Sequence, residues 1–138
     1  MTRKAIIITE FDRERLHKLV LDAQFGEYRN SPYLGELKTE IENAQVVTPQ
    51  EIPADVITMN STVVLVDLES GEEETYTLVF PEDADIMEAK ISILAPVGTA
   101  MLGYAIGDVI DWPIPAGRRK LRVERIIYQP EASGDWGI

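Results

Sequence analysis

Apolar residues recur at helical spacing in two stretches of the first third of the chain. Thr9 is placed to cap the first helix, and Ser31 followed by Pro32 is placed to start the second. Two helices of about 13 residues joined by a short loop form an antiparallel hairpin about 20 Å long. The apolar stripes are Leu16, Leu19, Val20 and Ala23 in the first helix, and Leu34, Leu37, Ile41 and Ala44 in the second.

Strand patterns replace the helical pattern after Pro49 and Pro53, because proline disfavours helix in the residue before it. One sheet crossed by one short helix is an α+β layout. We predict a helical hairpin with a short N-terminal strand over residues 1–47 and a sheet domain over 48–138. The alternative is that both helices belong to the core of one compact domain. The predicted strands are 61–68, 75–80, 91–94, 109–112 and 121–128, and the short helix is 97–102.

The net charge of −11 is concentrated in the second part of the chain. Residues 1–47 balance to −1, whereas residues 48–138 carry 6 Lys/Arg against 16 Asp/Glu. No basic residue lies between Lys38 and Lys90, so this surface repels phosphate backbones. We therefore expect a basic protein partner and no direct nucleic-acid binding.

The sequence is typical of a cytoplasmic protein without a membrane association. It contains no cysteine and so has no disulfide framework, which fits a reducing compartment. No apolar run approaches the roughly 20 residues that a membrane helix needs. The run at residues 5–8 is too short for a signal peptide, and Glu10 and Asp12 follow it at once.

The sequence offers no catalytic or metal-binding motif. His17 is the only histidine, and no other ligand types converge on it. No Ser–His–Asp set, phosphate-binding loop or zinc spacing is present, so we expect no cofactor, no metal and no enzymatic activity. Basic residues are concentrated at 118–125, where alternation places Arg119 and Arg125 on the same face of a strand. Pairing with acids of the neighbouring hairpin is the prediction, and a nucleic-acid patch is the alternative.

The most specific pattern spans residues 91–117. Here Ile91–Leu94 leads through Ala95-Pro96 into a short apolar helix that ends at Gly103, and Gly107-Asp108 then precedes a strand ending in two prolines and a glycine. Residues 53–61 (Pro-Ala-Asp-Val-Ile-Thr-Met-Asn-Ser) and 128–132 (Tyr-Gln-Pro-Glu-Ala) add to it. These motifs resemble the C-terminal domain of bacterial Gre transcript-cleavage factors. The full chain resembles their short relatives, the Rnk family of regulators of nucleoside diphosphate kinase.

The resemblance implies an FKBP-like C-terminal domain, an N-terminal antiparallel coiled coil, and binding to RNA polymerase at the rim of its secondary channel. Gre factors send a long coiled coil into that channel, where paired acids at the tip help to bind catalytic Mg²⁺. This chain departs from that pattern in the predicted hairpin, which is too short for such a reach. Asp22 and Glu27 flank the hairpin tip without forming a closely spaced pair.

We therefore predict a non-enzymatic regulator that binds RNA polymerase near the secondary channel, modulates elongation and competes with Gre factors. The predicted contact residues are Pro96, Val97, Met101 and Tyr104. The alternatives are a Gre-like stimulator of transcript cleavage and an FKBP-type peptidyl-prolyl isomerase. The aromatic pocket of that isomerase would consist of Phe80, Tyr104, Trp112 and Tyr128. The sequence leaves the oligomeric state open.

Overall fold

The N-terminal segment folds as two helices between two short paired strands. The computed structural model describes residues 6–23, 26, 32–114 and 117–135. Strand β1 (Ile7–Thr9) leads into helix α1 (Glu10–Ala23), and helix α2 (Pro32–Asn43) leads into strand β2 (Gln45–Val47). The two strands pair in parallel, with the helices as their crossover connection. The strand pair therefore closes the base of the hairpin. Strand β2 is not predicted from the sequence.

The helix boundaries follow the predicted signals. Thr9 Oγ1 accepts a hydrogen bond of 3.0 Å from the backbone N–H of Asp12, which caps α1 as expected. Helix α2 begins at Pro32 as predicted, and its expected cap, Ser31, lies outside the described residues. Both apolar stripes face inward. Their fully buried members are Leu16, Val20, Ala23, Leu34, Leu37 and Ile41.

The remaining chain forms one mixed sheet. Strands lie in the order β5-β4-β3-β7-β6, and all neighbours are antiparallel except the parallel pair β4 and β5. Register shifts between β3 and β7 interrupt the ladder at two points. The predicted α+β class is confirmed. The elements are β3 (Thr62–Asp67), β4 (Glu73–Val79), β5 (Lys90–Ser92), helix α3 (Pro96–Met101), β6 (Val109–Ile114) and β7 (Gly117–Tyr128).

A single hydrophobic cluster joins the helices to the sheet. Leu16 and Leu37 of the hairpin belong to the same buried cluster as Leu65 of β3 and Val123 of β7. Burial of aliphatic side chains is the main favourable contribution to folding. Residues on both sides of the predicted boundary at 47 and 48 therefore share one core.

Two glycines allow the backbone to approach other parts of the core closely. Gly103, which follows α3, has φ of +79°, and a Cβ at this position would collide with the side chain of Ile6. A Cβ on Gly98 would collide with the carbonyl oxygen of Ser92. These glycines allow α3 to lie directly against β5 and the chain that precedes β1.

Candidate functional site

Short polar contacts hold the segment between β5 and α3 in one conformation. The backbone N–H of Leu94 donates to Ser92 Oγ at 3.0 Å, and Thr99 Oγ1 donates to the Ile93 carbonyl at 2.7 Å. Helix α3 then begins with Pro96 in its first turn, where a backbone N–H would have no helical partner. The segment is therefore a preformed turn that is ready to present the start of α3.

The predicted contact residues reach the surface to different degrees. Val97 and Tyr104 are partly buried and pack against the core. Met101 is fully buried, so the expectation that it faces a partner is corrected, and its side chain supports α3 from inside. The backbone of Pro96 starts α3, whereas its side chain lies outside the described part of the structure.

The hairpin tip carries no described cluster of ligands. Asp22 is exposed near the end of α1, and Glu27 lies outside the described residues. His17 is exposed and lines a shallow groove with Lys38 and Glu42. Within the described part of the chain, no group of three or more His, Cys, Asp or Glu residues is placed to hold a metal ion.

The buried carboxyl group of Asp12 joins helix α1 to the segment that precedes β3. Asp12 is 1% exposed, and its Oδ2 accepts a hydrogen bond of 3.1 Å from the backbone N–H of Met59. Its Oδ1 accepts one of 2.7 Å from Arg15 Nη2. Burial raises the pKa of the carboxyl from its ordinary value of 3.8 to about 6, although both hydrogen bonds act in the opposite direction. The predicted cap at Thr9 places Asp12 near the start of a helix, but nothing in the local sequence indicates that its side chain is buried.

Arg15 binds Asp12 through its guanidinium, which also lies over two aromatic rings. Its guanidinium carbon lies 4.0 Å from the centroid of Phe11 and 4.7 Å from that of Phe80. Cation–π contacts favour a guanidinium in this position. Since Phe11 lies in α1 and Phe80 follows β4, the arginine bridges the two parts of the chain. An arginine three residues after an acid is the sequence signal that points to such a pair.

Hydrogen bonds join the two motifs at 53–61 and 128–132. Gln129 Nε2 donates to the carbonyls of Pro53 and Val56 at 2.8 and 2.7 Å. Thr58 Oγ1 donates to Glu131 Oε1 at 2.7 Å. Residues 129–131 are thereby fixed against the segment that carries Met59, whose backbone N–H donates to Asp12.

A cleft of about 570 Å³ lies between α1 and the end of β4. Phe80 is one of its lining residues, whereas Tyr104 and Tyr128 are not. The side chain of Trp112 lies outside the described part of the structure. The cleft carries charge of both signs, and the aromatic residues considered for an isomerase pocket are not gathered in it. Its lining is Arg15, Lys18, Leu19, Asp22, Asn60, Phe80, Glu82 and Asp83.

Two of the basic residues of β7, Arg119 and Arg125, are paired with acids of other strands. Arg119 Nε lies 3.0 Å from Asp67 Oδ2, and Arg119 Nη2 donates a hydrogen bond to Glu74 Oε2. Arg125 Nη1 lies 3.3 Å from Glu73 Oε2. The predicted pairing of Arg119 and Arg125 with the acidic hairpin is therefore confirmed, and it neutralises much of the positive charge that a nucleic-acid patch would need.

Comparison with known proteins gives one consistent family. Residues 40–128 match the family described as transcription elongation factor, GreA/GreB, C-term, and residues 4–47 match Rnk N-terminus. The chain is 40% identical over 137 residues to the regulator of nucleoside diphosphate kinase of Escherichia coli K12, which covers 99% of this chain and 98% of the relative. It is 35% identical over 106 residues to transcription elongation factor GreA of Chelativorans, which covers 77% and 68%.

A solved structure supports the same relationship. The prokaryotic transcription elongation factor GreA/GreB from Nitrosomonas europaea superposes with a TM-score of 0.76 at 44% identity, over 91% of this chain and 100% of that chain. In the described part of the chain, no helix combines the length and apolarity needed to cross a bilayer. The protein belongs to the GreA/GreB family of transcription elongation factors, among its Rnk members.

Proposed function

We propose that this protein is a non-enzymatic regulator that binds RNA polymerase near its secondary channel and modulates transcription elongation. The observation that carries the proposal is a GreA/GreB C-terminal region joined to a short helical hairpin. Helix α1 has 14 residues and is therefore about 21 Å long. A hairpin of this length is too short to place its tip at the catalytic centre of the polymerase. We infer that the protein occupies the rim and competes there with longer Gre factors.

We also propose a division of the chain into two parts. Residues 48–138 are proposed to form an FKBP-like domain, and residues 1–47 a short coiled coil fixed beside it. The spacing of Leu34, Leu37 and Ile41, all buried, supports the coiled-coil seam. The relatives of this chain are bacterial, so we propose that the protein works in the cytoplasm, where bacterial RNA polymerase is located.

The proposed contact with the polymerase is the start of α3. Pro96 and Val97 lie at its first turn, and Tyr104 follows its end. Met101 is fully buried beneath them and acts only as support. The acidic surface of the chain is complementary to a basic rim, which favours fast and salt-dependent association.

Binding of fluorescently labelled protein to purified core RNA polymerase tests this proposal. The wild type is expected to bind saturably, and Pro96→Ala/Val97→Ser is expected to bind about tenfold more weakly or worse. Leu68→Ser is the matched control, because Leu68 is 43% exposed in the turn after β3. Absence of wild-type binding would contradict the proposal, and equal binding by the double variant would remove the proposed surface.

A backtracked elongation complex separates regulation from cleavage stimulation. Because the hairpin is short, adding the protein alone should leave the rate of transcript cleavage unchanged. Adding it in excess over a Gre factor should slow the cleavage that this factor stimulates. Faster shortening of the RNA by the protein alone would show that hairpin length is the wrong criterion.

A further inference from the structure

The turn between β4 and β5 exposes two neighbouring large apolar side chains. Ile86 and Met87 are each 90% exposed. The other exposed large hydrophobic side chains in the described part of the chain range from 39% for Val46 to 59% for Ile127. Scattered, half-covered apolar residues are normal on a protein surface, but an adjacent pair that is almost fully exposed indicates an interaction site.

The backbone that carries this pair is rigid. Asp85 and Lys90 exchange two backbone hydrogen bonds of 3.0 and 2.9 Å, which close the base of the turn. Asp85 Oδ1 also accepts a bond of 3.0 Å from the backbone N–H of Met87. Ala89 adopts the left-handed conformation, with φ of 57°, and its carbonyl accepts from the backbone N–H of Thr77 at 2.9 Å. The turn is preformed, so little ordering entropy is lost when a partner covers it.

Negative charge surrounds the apolar pair. Residues 81–88 contain Glu82, Asp83, Asp85 and Glu88 and no basic residue. The nearby Lys90 is paired with Glu88 at 3.2 Å. Such a surface is repelled by anionic lipid headgroups and by nucleic-acid phosphates. It is complementary to a protein pocket with an apolar floor and a rim of lysine or arginine side chains.

We infer that Ile86 and Met87, here called the apolar tip, form a second anchor of this protein on RNA polymerase, in an apolar pocket with a basic rim. The inference rests on the proposed function. Strand β5, with three residues, connects the apolar tip to the segment that leads into α3. The strand is about 10 Å long and only residues 93–95 separate it from α3, so one partner surface of ordinary size has the extent to reach both anchors.

The test compares two double substitutions and a control in the same polymerase-binding assay. Ile86→Ser/Met87→Ser should weaken binding about tenfold or more, since anchors in pockets dominate interface energetics. The thermal unfolding midpoint of this double variant should stay at the wild-type value because both side chains are 90% exposed. Ile127→Ser on β7, where the side chain is 59% exposed, should bind like the wild type. Glu82→Gln/Asp83→Asn should weaken binding at low salt and reduce its salt dependence.

The outcomes separate this inference from the proposed function. If the wild type binds and the apolar-tip variant binds equally well, the inference is overturned and the proposed function stands. If the wild type does not bind polymerase, both are overturned. Sedimentation of the free protein adds a third outcome: a wild-type dimer that dissociates on substitution of the apolar tip would assign the tip to a second copy of this chain and overturn the inference. An unchanged salt dependence in the acidic double variant would refute the basic rim.

Discussion

Replacing Asp12 with asparagine should change how the stability of this protein depends on pH. Asp12 is 1% exposed and its pKa is raised to about 6, mainly by burial. The folded state therefore holds the proton more tightly than the unfolded chain, where the pKa is near 3.8. The contribution of Asp12 to stability is fully present below about pH 3.8, and it is lost as the pH rises towards and through about 6. Asparagine keeps an oxygen for the Met59 N–H but cannot ionise.

The difference between the two pKa values sets the magnitude. About two pH units at about 1.4 kcal/mol each give a total contribution of about 3 kcal/mol, most of which falls between about pH 4.5 and 7. Over that interval the free energy of unfolding of the wild type should fall relative to Asp12→Asn by about 2 kcal/mol. The Arg15 ion pair forms only with the ionised carboxyl, so its effect is already included in the pKa of about 6 and adds no separate offset.

Urea unfolding of both proteins at about pH 4.5 and about pH 7 measures the effect. Other groups with perturbed pKa values, such as Asp67 with its lowered pKa, are common to both proteins and cancel in the difference. Glu131→Gln is a second check, because the charge of Glu131 helps to raise the pKa of Asp12 and its removal should lower that pKa. A difference between wild type and Asp12→Asn that is the same at both pH values would refute the reasoning, as would a titration of the Asp12 carboxyl near pH 4.

Three further predictions concern packing and competition. Gly103→Ala places a Cβ against Ile6 at a positive φ and should lower the free energy of unfolding by about 2 to 5 kcal/mol. Gly71→Ala, at a similar φ of +78° but in open space, should cost only about 1 kcal/mol, and equal losses would contradict the collision argument. Leu37→Ala should cost about 2 to 5 kcal/mol because Leu37 is fully buried, whereas Leu21→Ala at an exposed position should cost under about 1 kcal/mol in thermal or urea unfolding. A Gre factor should displace the labelled protein from polymerase in a concentration-dependent manner, and simultaneous binding of both would exclude a shared site.

Local patterns predicted the elements of this fold well. The cap at Thr9, the proline that starts α2 and the alternating strands are short-range signals, because each depends on a few neighbouring residues. Strand β2 was missed, since three residues paired in parallel with a distant strand leave no alternation to detect. Residues 54–60, which precede the first predicted strand of the sheet, contain turns and a single bridge from Val56 to Ala105.

The candidate site was harder to predict because exposure depends on contacts distant in sequence. Met101 and Val97 lie four residues apart in the same short helix, yet one is fully buried and the other partly exposed. In a helix of six residues packed between other elements, periodicity does not separate a core face from a docking face. Ile86 and Met87 interrupt an otherwise acidic segment, and two large apolar residues inside such a segment are the sequence signal for the exposed pair.

The hydrogen bonds around Asp12 give a physical role to the motifs through which the chain resembles its family. Met59 offers its N–H to Asp12, while Thr58 beside it binds Glu131. Gln129 Nε2 donates to the carbonyl of Val56, so the motifs at 53–61 and 128–132 converge where α1 packs against the segment that precedes β3. Arg15 Nε and Gln129 Oε1 are buried without a hydrogen-bond partner. The network still favours one arrangement, because moving α1 away would leave the buried Asp12 carboxyl without its bonds to Met59 and Arg15. The direction of the short hairpin relative to α3 is therefore determined by the motifs themselves, and a regulator that binds through α3 would hold its hairpin at a defined angle to its partner.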